Sequence, residues 1–457
     1  MQIEQLVQAQ RNYFNTNATL DVSHRVDALR KLYAAIKRHE GAICEALEAD
    51  LGKARLESYM CEVGLALSEI SYMMRHTAHF AAEKRVHTPL AQFPSRSFKK
   101  PSPYGVTLIM SPWNYPFLLC IEPLANAIAA GNTAIVKPSA YSPATSAVIA
   151  SLLSECFAPE YVACVTGGRK ENTALLEQKF DFIFFTGSTT VGKEVLRHAA
   201  EYVTPTVLEL GGKSPCIVDA SANLKLAAKR IVFGKFLNNG QTCVAPDYIL
   251  CHESVKDQFI TEVKAQIDKQ YADALNPNTE YGSMVNEKHY ERVLSLIDPL
   301  KVIKGGGSHD GLRRIEPTVM DNVTWDDAVM QQEIFGPLMP ILTFDSYDEI
   351  FARFNQMPKP LALYIFANNS DVIHRVTDTC QFGGGCVNDT IIHLATTEMG
   401  FGGVGESGMG AYHGKTGFEA FSHTKSIVQK RQWLDLPMRY HPYHSALYEK
   451  LIRLFLR

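Results

Sequence analysis

Cys243 closes the run Asn239-Gly240-Gln241-Thr242-Cys243, in which a glycine-bearing turn follows a helical pattern. A free thiol has a pKa near ~8.5 and is only a few per cent thiolate at neutral pH. A nucleophilic cysteine therefore needs a base or an electropositive setting, and without one it is an inert core residue. Glu209, in Leu208-Glu209-Leu210-Gly211-Gly212-Lys213, is a carboxylate ending an apolar run. A strand end walled by apolar side chains raises a carboxyl pKa and suits it to general-base work; the same Glu in a salt bridge is only structural. Asn114, in Pro112-Trp113-Asn114-Tyr115-Pro116, can give an amide N–H to a developing oxyanion, and Lys137, in Val136-Lys137-Pro138-Ser139, can meet a ribose hydroxyl or a phosphate. In isolation the two also read as a turn Asn and a solvated Lys. Phe185-Thr186-Gly187-Ser188-Thr189-Thr190-Val191-Gly192 places glycines where dinucleotide phosphates meet a helix N-terminus. Its spacing is not GxGxxG, and such turns are common in α/β proteins.

Those residues need strands and helices to bring them together. From His24 to about Leu47 the apolar positions Val26, Leu29, Tyr33 and Ile36 recur at helical spacing, with Gly41 expected to break the helix before Ile43 and Leu47. The stretch from Val86 to Pro103 carries Pro89, Pro94, Pro101 and Pro103, which predicts an exposed excursion or edge hairpin, read as part of an oligomer contact. An alternation then begins: strand 106–110, helix 117–130 stopped by Gly131, strand 133–136, a helix from Ser142, and strands at 161–165, 182–185 and 206–210 with a helix at 191–200 between the last two. A second alternation follows, with strand 215–218, helix 224–237, strand 248–251 and helix 255–271. Strands alternating with helices imply right-handed crossovers and parallel sheets, which bind ligands at strand carboxyl ends. Gly400 to Gly417 is glycine-rich and reads as a loop free to make close turns.

Hydrophobic residues make up 46% and charged residues 20% of the 457, the balance of a globular protein of two or three domains rather than a disordered or membrane chain. With 45 Lys plus Arg against 48 Asp plus Glu, the net charge of −3 lacks the basic excess that phosphate-backbone binding needs, so nucleic acid is not expected as a partner. Ten cysteines lie scattered from Cys44 to Cys386 without a CxxC pair or zinc-like clustering, so reduced thiols and no metal site are expected. The start, Met-Gln-Ile-Glu-Gln, lacks a basic and apolar leader, and no stretch reaches the roughly 18 apolar residues of a membrane span. The expectation is a cytoplasmic protein.

Taken together, these motifs resemble the aldehyde dehydrogenase superfamily: Pro112 to Phe117, Gly131-Asn-Thr-Ala-Ile-Val-Lys-Pro-Ser139, Phe184-Phe-Thr-Gly-Ser188, Leu208 to Lys213, Gly240-Gln-Thr-Cys243 and Gln332-Glu-Ile-Phe-Gly-Pro337 occur in the family's order. The ending from Phe401 to Gly414, with Gly417-Phe and Phe421-Ser-His-Thr-Lys425, resembles its class-three branch of aryl, fatty and coniferyl aldehyde enzymes. The resemblance covers nearly the whole chain. It implies a Rossmann-like NAD(P)-binding domain at 1–81 and 104–208, a second α/β catalytic domain at 209–425, a small β bridging element at 82–103 and 426–440, a tail at 441–457, and a homodimer. It further implies that Cys243 attacks the aldehyde to give a thiohemiacetal, then a thioester, with the oxyanion held by Asn114 and the Cys243 backbone N–H. Glu209 activates the hydrolytic water. The cofactor-binding residues would be Trp113, Lys137, Ser139, Gly187, Ser188, Gly192, Leu210, Gly211, Glu333 and Phe335. The aldehyde pocket would take Tyr115, Ile391 and Phe401, with His393 as a polar contact, and His413 would hold structure.

Two departures alter what the resemblance implies. Ala140 stands where NAD-preferring relatives often carry a Glu that bonds the adenosine ribose, so NADP+ should be used at least as well as NAD+. Met399-Gly400-Phe401 replaces the family's Leu-Pro-Phe and removes a fixed φ at the tunnel edge. The tail Leu451 to Arg457 is too short and too charged to span a bilayer, and packing on the protein or a partner subunit is expected instead. The competing readings are an acylating enzyme that passes the thioester to coenzyme A, against which a water-activating Glu209 argues, and a non-catalytic protein retaining the fold. A cysteine hydrolase fits less well, because no histidine lies beside Cys243.

Overall fold

Strands Val106–Met110, Thr133–Lys137 and Phe182–Thr186 are apolar along their length and buried at every position. That pattern belongs to parallel strands covered by helices on both faces. The computed structural model, which describes residues 2–443 and 445–456, places them at the centre of a six-stranded sheet. Its order is Gly408–Met409, Thr206–Glu209, Phe182–Thr186, Val106–Met110, Thr133–Lys137, Val162–Cys164, parallel throughout except for the short Gly408–Met409 strand. The register pairs Thr186 with Glu209 and Met110 with Lys137, so the motifs that follow these strands emerge along one edge. Helices Leu118–Ala130, Pro143–Cys156, Arg169–Leu176 and Thr189–Tyr202 make the crossovers.

A seven-stranded sheet follows in the order Val302–Lys304, Thr318–Met320, Leu338–Phe344, Tyr248–His252, Pro215–Val218, Ala362–Phe366, Gly384–Val387. It too is parallel, apart from Val302–Lys304 at its edge. The third sheet is antiparallel. Lys84–Val86 pairs with Ser95–Pro103, and Ser95–Pro103 pairs with Ser422–Lys430 in an unbroken register from Pro103 opposite Ser422 to Ser95 opposite Lys430. The proline-bearing excursion is thus a hairpin arm, and a late strand of the chain completes it.

One element differs from expectation. The helix Val22–Leu51 runs unbroken through Gly41 and ends only at Gly52, whose φ of +65° supplies the left-handed cap. A glycine inside a helix costs about 0.5–1 kcal/mol relative to alanine. The buried stripe of Leu29, Leu32, Ile36, Ile43 and Leu47, each fully enclosed, outweighs that cost. All ten cysteines are free thiols. Among the described residues no helix is long and apolar enough to cross a membrane.

Candidate active site

The helix Leu224–Phe236 delivers the chain to Cys243 through a turn in which Asn238 (φ +51°) and Asn239 (φ +54°) are both left-handed, a conformation asparagine tolerates better than most residues. The turn is pinned on all sides. Glu57 accepts from the Asn238 N–H (2.9 Å), the Gln241 side chain donates to the Ser283 carbonyl (3.1 Å) and accepts from the Val285 N–H (3.0 Å), and the Tyr364 hydroxyl donates to the Val244 carbonyl (2.6 Å). Facing it, the Asn114 amide donates to the Gln241 carbonyl at 3.0 Å, and the Tyr115 and Thr242 hydroxyls share a hydrogen bond at 2.6 Å. Asn114 is therefore held against the backbone two residues before the thiol.

Glu209 ends its strand with both carboxylate oxygens buried and without a hydrogen-bond partner. Burial holds its pKa well above the usual carboxylate range. The Cys243 thiol is pushed up to about 12, first by burial and then by the neighbouring carboxylates Glu333 and Glu209. Burial, with Asp247 nearby, lifts Glu333 to about 8. The protein alone thus disfavours the charged thiolate and carboxylates, and whatever enters the cleft must shift that balance.

Two cavities meet at Cys243. One, of about 490 Å³, runs from Cys243, Asn114 and Glu209 past Trp113, Gly187, Ser188, Leu210 and Gly211 to Glu333 and Phe335. Its walls fit a nicotinamide dinucleotide. Ser188 caps the helix Thr189–Tyr202, whose N-terminus opens onto the cleft. Gly211 stands where any Cβ would collide with the Glu333 carboxylate, so the backbone can approach a ligand closely there. Phe335, at φ +47°, meets the Trp113 ring edge-on at 5.3 Å. Gly192 lies behind this wall, packed on Leu210. Lys137 and Ser139 do not line the cavity. Lys137 is buried and donates to the carbonyls of Pro138 (2.8 Å) and Gly167 (2.7 Å), and burial lowers its pKa.

The second cavity, of about 170 Å³, is walled chiefly by apolar side chains, among them Leu65, Leu118, Phe233, Leu237 and Ile391, together with Tyr115 and Phe401. Ile391 is held at φ +54°, rare for a β-branched residue. His393 is not on this wall. Its Nδ1 lies 3.6 Å from the Cys386 sulfur, and burial lowers its pKa to about 4, so it lies behind Phe401 as a neutral ring. His413 is buried with its Nε2 3.2 Å from Glu122, while the next backbone N–H donates to Glu69 (2.8 Å).

Comparison with known proteins identifies the family and the fold. The model of the aldehyde dehydrogenase family matches residues 1–427. The chain belongs to that family. It is 47% identical over 457 residues to a 4,4'-diaponeurosporen-aldehyde dehydrogenase of Staphylococcus aureus, covering all of this chain and 99% of that one. It is 40% identical over 443 residues to a dimeric NADP-preferring aldehyde dehydrogenase of Canis lupus familiaris, covering 96% and 98%. A solved structure of a Staphylococcus aureus aldehyde dehydrogenase in a substrate-bound state superposes with a TM-score of 0.98 at 47% identity, over the full length of both chains.

Several residues of this aldehyde dehydrogenase site escaped sequence reasoning. Arg292 donates to the Ile334 carbonyl at 2.7 Å and holds the segment carrying Glu333. Asp247 accepts from the Ile334 N–H at 2.9 Å and pairs with Lys213. Tyr412 lines both cavities. Only Lys213 carried a signal, its place at the end of the Glu209 motif. Asp247 lies four residues past Cys243 and Tyr412 inside the Phe401–Gly414 ending, but neither residue type points to a role there, and Arg292 is remote from every motif.

Proposed function

We propose that this NAD(P)-dependent aldehyde dehydrogenase oxidises apolar aldehydes, aromatic or medium- to long-chain aliphatic, to carboxylic acids through a covalent thioester on Cys243. The observation that carries the reading is the convergence of Cys243, Asn114 and Glu209 where an apolar cavity meets a dinucleotide-shaped one. The aldehyde lies in the apolar cavity with its carbonyl carbon at Cys243. The thiol sulfur adds to that carbon as its proton passes to water in the cleft, and the carbonyl oxygen takes the negative charge. Asn114, rotated from the Gln241 carbonyl, and the Cys243 backbone N–H receive that charge. When bound, the nicotinamide group supplies the acceptor for the hydride that leaves as the carbonyl re-forms. Glu209 then takes a proton from water, the resulting hydroxide attacks the thioester, and the sulfur departs. A carboxylate with both oxygens free is suited to that task, and an enzyme that passed its acyl group to coenzyme A would not need it.

In this reading the six-stranded sheet with its helices, 1–81 and 104–208, binds the cofactor, 209–425 carries the catalytic residues, and 82–103 with 426–440 bridges two copies. Ala140 is exposed, three residues after Lys137 in the chain, and presents no carboxylate to a 2′-phosphate, which supports NADP+ as well as NAD+. The staphylococcal relative is named for a 4,4'-diaponeurosporen aldehyde, and the lining here is chiefly apolar. The test is turnover of benzaldehyde and of a medium-chain alkanal with each cofactor, with and without coenzyme A. Activity without coenzyme A that vanishes in Cys243→Ala, with cofactor binding retained, is the expected result. A strict requirement for coenzyme A, or turnover by Cys243→Ala, overturns the mechanism.

A further inference from the structure

Lys53 and Glu62 form a fully enclosed ion pair that the reaction as described does not use. A charge pair buried to this degree needs further hydrogen bonds to offset its lost hydration. Here those bonds converge on one loop. The Lys53 ammonium donates to the main-chain carbonyl of Asn114 at 2.8 Å and lies 4.1 Å from the centre of the Tyr115 ring. The Glu62 carboxylate accepts from the backbone N–H groups of Phe117 (2.9 Å) and Leu118 (3.2 Å), where the loop enters the helix Leu118–Ala130. The pair therefore clasps the Asn114 loop at both ends. The Asn114 carbonyl also accepts from the Asn238 side chain at 2.9 Å, which ties the loop to the turn before Cys243.

Both partners reach this place through local distortions. Lys53 follows the left-handed Gly52, and Glu62 lies in a π-helical turn, Tyr59–Val63, set between the α-helical stretches Arg55–Ser58 and Gly64–Ala81. Such turns recur where a helix has to aim one side chain at a functional site.

We infer that Lys53 and Glu62 are positioning residues for the oxyanion site, the pair fixing the loop so that the Asn114 amide and Tyr115 are set against the Cys243 turn. This inference rests on the reading of Asn114 as the oxyanion donor. It predicts that neutralising the pair without emptying the space lowers the chemical step and leaves the cofactor and the thiol in place. In the full-length enzyme, Lys53→Met/Glu62→Gln should lose 10-fold or more in kcat towards benzaldehyde, within the roughly 10²–10³-fold that removing an oxyanion donor costs. Cofactor affinity and the rate of Cys243 alkylation by iodoacetamide should stay within about twofold of the parent.

A packing defect and a positioning role separate in a cycle with Asn114→Ala, because residues acting as one unit are non-additive. On the Asn114→Ala background the double substitution should cost less than about twofold further. If Lys53→Met/Glu62→Gln does not fold, Lys53→Met alone carries the same two expectations, since Glu62 can take up a proton. Parental kcat in a folded variant, or a loss that multiplies in full with that of Asn114→Ala, overturns the inference. Asn114→Ala with parental activity instead overturns the oxyanion assignment on which it rests.

Discussion

Glu209 concentrates the site's chemistry and a cost to stability in one side chain. Its buried, unpartnered carboxyl has a folded-state pKa above its unfolded value, so the fold resists the ionised form. The penalty is absent below the unfolded pKa and grows as pH rises above it, until the folded carboxyl itself ionises. Glu209→Gln should therefore raise the melting temperature more at pH 8 than at pH 5, which calorimetry at the two values would read. The same substitution should leave a single-turnover burst of reduced cofactor while steady-state turnover falls about 10²-fold or more, the range for losing a positioned base. In the parent enzyme the hydrolytic step should speed up with rising pH as Glu209 ionises, and the variant should lose that dependence; a parallel profile in the two would exclude Glu209 as the base. Ala140→Glu addresses the neighbouring question of cofactor choice. It should shift the ratio of kcat/KM values towards NAD+, because a carboxylate beside the ribose repels a 2′-phosphate.

At the scale of elements, the alternation of apolar runs with helical patterns was legible because parallel strands buried on both faces carry a strong local signal. Strands 106–110 and 215–218 appear where their residues predict them, and the helix ending at Gly131 stops at the expected residue. The helix continues through Gly41, against its local cost, because that cost is outweighed by the packing stripe on either side of it, which a single residue does not show. The supports of the site were hidden for a different reason: Lys53, Glu62 and Asp247 act through backbone groups far along the chain, and no spacing rule reports such partners. His393 was misplaced because its sequence neighbours Ile391 and Leu394 do line the cavity, while its own ring turns to Cys386. Contacts between elements carry their own prediction. Gly417, in the helix Gly414–Ala420, lies so close to Asn126 of the helix Leu118–Ala130 that an added Cβ would overlap its side-chain amide. Gly417→Ala should destabilise the fold by about 1–3 kcal/mol, the usual cost of overpacking, seen as a shifted denaturant midpoint with unchanged slope.

Across the whole molecule, the three-stranded sheet is separate from the two large ones, and it and its flanking loops present Val86, Phe93, Val428 and Trp433 to solvent in the single chain. If that arm bridges two copies, sedimentation should give twice the 50.8 kDa chain mass, and Val428→Asp should shift the species towards the monomer; a monomeric parent would refute the bridging role. The sheets also record the order in which the chain must be assembled. Gly408–Met409 returns to pair beside Glu209, and Ser422–Lys430 closes the arm begined by Ser95–Pro103 more than three hundred residues earlier. A ribosome that has already exposed Cys243 still holds the strands that complete the sheet edge at Glu209. With residues added at about 5–20 per second, the thiol waits many seconds in an unfinished protein. The burial that raises its pKa belongs to the finished cleft, so the thiol acquires its folded-state character only when the last strands arrive.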